Sequence, residues 1–368
     1  MLDTAILKSE EKAVFALRSL YRSFGYIPYK MSKFEEYEYY IRNKDFLVSD
    51  RFITFNDTNG KLMALKPDVT LSIIKNSQDF PGCKQKVYYN ENIYRISDST
   101  RQYKEILQTG LECIGDIDLY DIYEAVYLAG QSLALLPGDF VIQISHLGIL
   151  GAVLDELSPD PGFRQEAAAC IAQKNAHDLL RLCESYGVGE EKAGMLAAFV
   201  STYGARGEVL TKLRQICGDV AAEALTQLED LSRLLDATPF PEKFVFDFSV
   251  VNNMNYYNGI VFKGFLSGVS GGILAGGQYD KLMGKMDRRC GAIGFAVYLD
   301  LLEQLPDTRR GYDVDVVLLY EPDTDPAAVA AQVQRLTSEG KTVSAQRAVP
   351  PKLRCREVIR LDKEGKVC

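Results

Sequence analysis

Two β-rich runs joined by a short polar loop, KVYYNENIYRI and ILQTGLECIG around SDSTRQYK, constrain this fold more than any other part of the chain. Strand, loop and strand again predict an antiparallel pair. Side chains alternate faces along a strand, so Gln108 and Glu112, an even number apart, share one face. Arg95 sits on the neighbouring strand, across the hairpin loop. Glu112 lies between Leu111 and Cys113, and a carboxylate in an apolar strand is costly unless it is paired. Arg95 by itself reads equally well as a partner for Asp98 or Glu91.

The surrounding pattern supplies helices for such a sheet. Ser9 precedes Glu10 and Glu11, apolar Val14, Leu17, Leu20, Tyr21 and Phe24 recur at helical spacing, and Gly25 ends the run. FITF and KLMAL flank DTNG, whose Asn59-Gly60 pair predicts a hairpin. TLSIIK and DLYDIYEAVYLAGQSLALL read as packing helices. From about Val153 to Ala237 helical texture dominates, with Gly187, Gly189, Gly204 and Gly207 at the breaks, which predicts an inserted helical bundle. Strands return with FVFDFSVV, YYNGIVFKGFL and GVSGGILAGG, then a helix at YDKLMGKM and a strand-to-helix unit at GAIGFAVYLDLLEQL. The tail, 312–368, reads as a small β-α-β-β piece.

Composition narrows the class. Of 368 residues 47% are hydrophobic and 25% charged, enough apolar material for a substantial core. No apolar run is long enough for a membrane span, and MLDTAILKSEEKAVF does not have the shape of a signal peptide. The eight Cys are scattered without a C-x-x-C pair, and there are two His. This predicts small buried thiols, a reducing cytoplasmic setting, no metal site and no cofactor. With a net charge of −8 and no basic cluster, nucleic acid is not an expected partner.

Four segments, in order, resemble the catalytic core of class II aminoacyl-tRNA synthetases, and specifically histidyl-tRNA synthetase. MALKPDVTLSIIK is similar to the L-R-P-E-G-T segment that faces the amino acid. IYRISDSTRQYKEILQTGLECIG resembles the strand-loop-strand motif with Q-x-G-x-E-x-x-G. VVNNMNYYNGIVF looks like the histidine-specific R-G-L-D-Y-Y, and AGGQYDKLMGKM with GAIGFAVYLDLL looks like G-G-R-Y-D and the closing strand-helix motif. The resemblance implies an α+β fold: a class II synthetase-like antiparallel sheet flanked by helices (1–152 and 238–308), a helical insertion (153–237), and a small α/β tail (312–368) like a truncated anticodon-binding domain. It also implies a homodimeric core.

Free histidine offers an ammonium, a carboxylate and an imidazole, and a site for it needs acceptors, donors and a partner for the ring nitrogens. At the matching positions Asp68, Thr70 and Gln108 are expected to hold the ammonium, with Arg95 near the carboxylate. Glu112 and Tyr257 are expected to meet the imidazole, and Tyr256 and Tyr279 to wall the pocket. By composition alone Tyr256 and Tyr257 read as packing residues.

Amino-acid activation needs cations against the triphosphate and the developing charge at the α-phosphate, which planar Arg suits better than Lys. Here the arginine of the closing motif is Leu301, and Tyr298 replaces the small residue that leaves room for adenine. Asn252, Gln278 and Lys66 stand where the family has arginines, and Arg95-Ile96-Ser97 lacks the usual arginine–glutamate pair. A synthetase-like core with histidine ligands but without ATP chemistry resembles the regulatory subunits of ATP phosphoribosyltransferase. That resemblance implies a non-catalytic protein partnered with a short-form catalytic subunit and conferring feedback inhibition by histidine, the effector. The rival reading is a divergent histidyl-tRNA synthetase or related amino-acid-activating ligase.

Overall fold

The first helix, α1 (Ser9–Ser23), starts at Ser9, where the Glu11 carboxylate reaches back to accept the Lys8 amide at 2.7 Å. The computed structural model describes residues 7–44, 47, 52–78, 82–96, 101–251, 254, 256–305 and 311–368. They belong to two units, Met1–Leu305 and Pro306–Cys368.

In the first unit the short β1 (Ile27–Pro28) and β2 (Phe34–Glu36) precede α2 (Tyr37–Arg42). The predicted hairpin follows as β3 (Thr54–Asn56) and β4 (Leu62–Leu65), paired antiparallel. Asp57 Oδ1 accepts the amides of Asn59 and Lys61 in its turn, and Gly60 takes the positive φ of 80° that the turn requires. Then come α3 (Thr70–Asn76), β5 (Lys84–Ile96), β6 (Tyr103–Gly115) and α4 (Leu119–Ala134). β5 and β6 form the predicted antiparallel pair over their whole length. β6 begins at Tyr103, inside the segment read as loop.

After β7 (Phe140–His146) the chain turns directly into α5 (Leu147–Leu157), where the His146 ring accepts the Gly148 amide at 3.1 Å as cap. Helices α6 (Pro161–Ala172), α7 (Ala176–Ser185) and α8 (Glu190–Ala198) follow, then β8 (Tyr203–Gly204), α9 (Arg206–Cys217) and α10 (Ala222–Leu235). Gly207 lies in the first turn of α9 and not at a break, and β8 is a strand within the helical stretch. Next are β9 (Phe244–Asp247), β10 (Ile260–Leu266), β11 (Gly272–Gln278), α11 (Asp280–Lys285) and β12 (Gly291–Tyr298). β9 is shorter than FVFDFSVV suggests, because Asp247 Oδ1 accepts the Ser249 amide at 2.9 Å and turns the chain. The helix expected after β12 is a 3-10 segment, Leu299–Gln304.

Nine strands form one mostly antiparallel sheet in the order β1-β5-β6-β12-β11-β10-β7-β9-β8, and β2-β4-β3 form a small separate one. Strict alternation divides the large sheet between two cores. Leu111, Cys113, Phe295 and Val297 face a cluster shared with α1, α4 and the helical stretch. Val87, Tyr89, Ile114 and Ala292 face a second cluster with Val69, Ile73, Tyr279 and Leu282. The second face carries the candidate site. Three cysteines, Cys113, Cys183 and Cys217, are buried as expected; Cys83 and Cys368 are exposed, one in the turn before β5 and one at the last residue.

The second unit has β13 (Val314–Leu319), α12 (Pro326–Ser338), β14 (Val343–Gln346) and β15 (Cys355–Arg360), the expected β-α-β-β order. Its three strands are parallel, with β13 in the centre. Among the described residues no helix is long and apolar enough to cross a membrane, and no His/Cys/Asp/Glu group could hold a metal ion.

Candidate functional site

The site is built by register. Glu112 pairs with Gly294 across β6 and β12, Gly294 with Gly277, and Gly277 with Val261. One row along, Gly110 pairs with Ala296, Ala296 with Ala275, and Ala275 with Lys263. In the next row Gln108 lies between Glu91 and Tyr298. Glycine and alanine thus floor the middle of the face, and polar or aromatic side chains rise around them. The floor must be small: a Cβ on Gly294 would run into the Glu112 carboxylate and come within 2.5 Å of the Leu111 carbonyl oxygen.

Above this floor lies a cavity of about 480 Å³, a size suited to a small ligand. All eight expected residues line it: Asp68, Thr70, Arg95, Gln108, Glu112, Tyr256, Tyr257 and Tyr279. Glu112 is its hub. One oxygen accepts from the Thr70 hydroxyl at 2.8 Å, the other from the Tyr279 hydroxyl at 2.6 Å. Burial, partly offset by these two hydrogen bonds and reinforced by the Asp68 charge, pushes the Glu112 carboxyl up to about 8. The cost of a carboxylate on an apolar strand is therefore met by two hydroxyl donors and by partial protonation.

Asp68 is set by the start of α3, where its Oδ1 accepts the Leu71 amide at 3.0 Å. Burial raises its carboxyl, while the Leu71 amide and the Arg95 guanidinium pull it back down. Burial also keeps the Tyr256, Tyr257 and Tyr279 phenols protonated, so they can donate. Tyr256 stands against both others, with ring centroids 4.5 Å from Tyr257 and 5.7 Å from Tyr279. Packing and pocket-lining are thus the same role for these rings.

Arg95 does not pair with Glu91. Its Nε donates to the Pro67 carbonyl at 3.0 Å, while Glu91 is taken by the fully buried Lys66 at 3.0 Å. Asp98, the other expected partner, and Ser97 lie outside the described residues.

The replaced positions scatter. Tyr298 lines the cavity beside Gln108. Leu301 is not in the lining; partly buried, it packs against the first core cluster. Gln278 also lies elsewhere, in a second cleft of about 950 Å³ with His146, Gln227 and Asn258, and its Nε2 donates to Asp280 at 2.7 Å. Strand alternation explains this: Gln278 follows Gly277, which shares the sheet face of Gly294 and Glu112. Asn252 lies outside the described residues. Sequence reasoning missed Tyr89 and Lys263, both in the cavity wall. For Lys263 the signal was a lysine inside the apolar run IVFKGFL; for Tyr89, its even spacing from Glu91 and Arg95.

Residues 3–302 match the family described as Histidyl-tRNA synthetase. The chain is 26% identical over 337 residues to an ATP phosphoribosyltransferase regulatory subunit of Oceanobacillus iheyensis, covering 90% of this chain and 82% of that one. Its fold is similar to that of an ATP phosphoribosyltransferase regulatory subunit/histidyl-tRNA synthetase from Bacillus halodurans, with a TM-score of 0.78 at 22% identity over 98% of this chain and 96% of the other. A chain of an ATP phosphoribosyl transferase (HisG:HisZ) complex from Thermotoga maritima aligns with a TM-score of 0.62 at 19% identity, covering 79% and 97%. At such identities the structural likenesses speak for the fold.

Proposed function

The chain belongs to the histidyl-tRNA synthetase family, and from that premise we propose that it works as the regulatory subunit of an ATP phosphoribosyltransferase. In this role it binds free histidine, supports a short-form catalytic subunit, and carries feedback inhibition into the first step of histidine biosynthesis. The observation that carries the reading is a split between the positions gathered at Glu112 and the replaced positions at Leu301 and Lys66. Acceptors and phenols for an amino acid converge on Glu112, while Leu301 is packed into the core and Lys66 is bound to Glu91.

Histidine fits the first half by its chemistry. Asp68, Thr70 and Gln108 accept the ammonium, and Arg95 stands near the carboxylate. Glu112 with Tyr257 meets the imidazole, and Tyr256 and Tyr279 close the sides. A protonated Glu112 can donate to a neutral ring nitrogen, and an ionised one can accept from it. Adenylation has no such support. A leucine cannot hold a phosphate, the Lys66 ammonium already has its counter-charge, and the Tyr298 ring occupies the wall where an adenine would need space.

The relatives named as regulatory subunits point the same way. Effector action requires two states of the complex that bind histidine differently. The core is a homodimer in this reading, assembled with the catalytic subunit in the cytoplasm. Two assays test it. The isolated chain with histidine should give no ATP–pyrophosphate exchange, and co-expression with a short-form catalytic subunit should yield a complex more active than that subunit alone. Robust exchange, or no association, overturns the proposal.

A further inference from the structure

Lys263 is the charge in the cavity that no other feature explains. It lies on β10, on the face that carries Glu112 and Gln108, next to Ala275 in the register. It lines the cavity and is partly buried. Among the described residues no carboxylate or hydrogen-bond acceptor holds its ammonium, and burial alone draws it below the usual lysine range. Every other lysine drawn so far into the interior has a counter-charge: Lys66 has Glu91, and Lys86 has Glu124.

Position sharpens the contrast. β10 is separated from β6 by β11 and β12, three strand spacings or roughly 14 Å, so Lys263 stands well away from Glu112. β5, which carries Arg95, is one strand further, roughly 19 Å from β10. Along the Lys263 row the floor is Ala275, Ala296 and Gly110 as far as Tyr89, while Arg95 stands further along β5, beyond the row of Gln108 and Tyr298. A partly desolvated ammonium without a partner is unfavourable, and an anion entering the cavity would relieve it.

We infer that Lys263 is an anion-recognition residue of this cavity, receiving a carboxylate or phosphate group that arrives with the ligand. The inference rests on reading the cavity as the histidine site. The anion has two sources: the carboxylate of the amino acid itself, turned toward Lys263 and away from Arg95, or a separate small phosphate-bearing molecule seated beyond it.

The test uses the full chain, its Lys263→Met and Lys263→Arg variants, and calorimetric titration with histidine, histidinol (which lacks the carboxylate) and inorganic pyrophosphate. Thermal melting checks that the variants fold. If the carboxylate is the anion, Lys263→Met weakens histidine at least tenfold, leaves histidinol within twofold, and Lys263→Arg restores most of the loss. If the anion is separate, pyrophosphate binds the wild-type chain and is lost in Lys263→Met, with histidine unmoved. The inference fails if neither histidine nor pyrophosphate binding depends on Lys263. A wild-type chain that binds no histidine sinks the functional reading instead, and the pyrophosphate titration still decides on Lys263.

Discussion

Two groups of positions in the first unit carry opposite chemistry. Around Glu112 the polar groups are convergent and satisfied by each other, with Thr70 and Tyr279 donating to one carboxylate above a floor of glycine. At Lys66 and Leu301, two positions where the resemblance leads one to expect arginine, the cation is paired or absent. Lys66 is closed in a buried ion pair, and Leu301 has joined the core. The difference teaches that, in the proposed reading, an amino-acid pocket and a nucleotide site can be separated by a few substitutions, because their residues come from different segments.

The comparison can be broken by showing that the second group still serves a ligand. Lys66→Met leaves Glu91 largely buried without a counter-charge and is expected to cost about 3–5 kcal/mol in urea unfolding, with Lys66→Met/Glu91→Leu recovering most of it. A small cost for the single variant would mean that Lys66 is a spare cation and not a structural one.

The pH dependence sharpens the other group. Glu112 is held up to about 8 in the fold against an ordinary 4.5. Between those values the folded state keeps a proton that the unfolded chain gives up, so stability falls as pH rises through that window and the penalty is complete above it. Below it the effect is absent. Glu112→Gln removes this slope, so the wild-type chain should lose on the order of 5 kcal/mol relative to the variant between the two ends of the window. Parallel curves would show that Glu112 is ionised in the empty site.

Glu112→Ala should weaken histidine about 100-fold, because it removes the proposed imidazole partner and leaves the Thr70 and Tyr279 hydroxyls without their acceptor. Calorimetric titration reads this directly. The smallest effect is expected at Leu301→Ala, about 1 kcal/mol of stability for a partly buried side chain, with histidine affinity within twofold. A large affinity loss there would merge the two groups into one site.

Much of the first group was legible in the sequence. Even spacing put Gln108 and Glu112 on one strand face, the loop length put Arg95 next door, and the order of motifs brought Asp68, Thr70 and the three tyrosines to the same place. What escaped is set by long-range pairing. Whether Lys263 faces the cavity depends on the register of β10 against β11, and Gln278 faces away because it is one residue past Gly277. The partner of Arg95 was also hidden, since Lys66 reaches Glu91 from another segment. β8, only Tyr203–Gly204, has no local signature apart from the strand it pairs with.

The most direct test of the central claim is phosphoribosyl transfer to ATP by the complex of this chain with its short-form catalytic subunit, measured with and without histidine. The account predicts that histidine inhibits the wild-type complex, and that the Glu112→Ala complex keeps its activity without histidine but is no longer inhibited at the same concentration. Equal inhibition of both complexes would contradict it and place the histidine sensor outside this cavity.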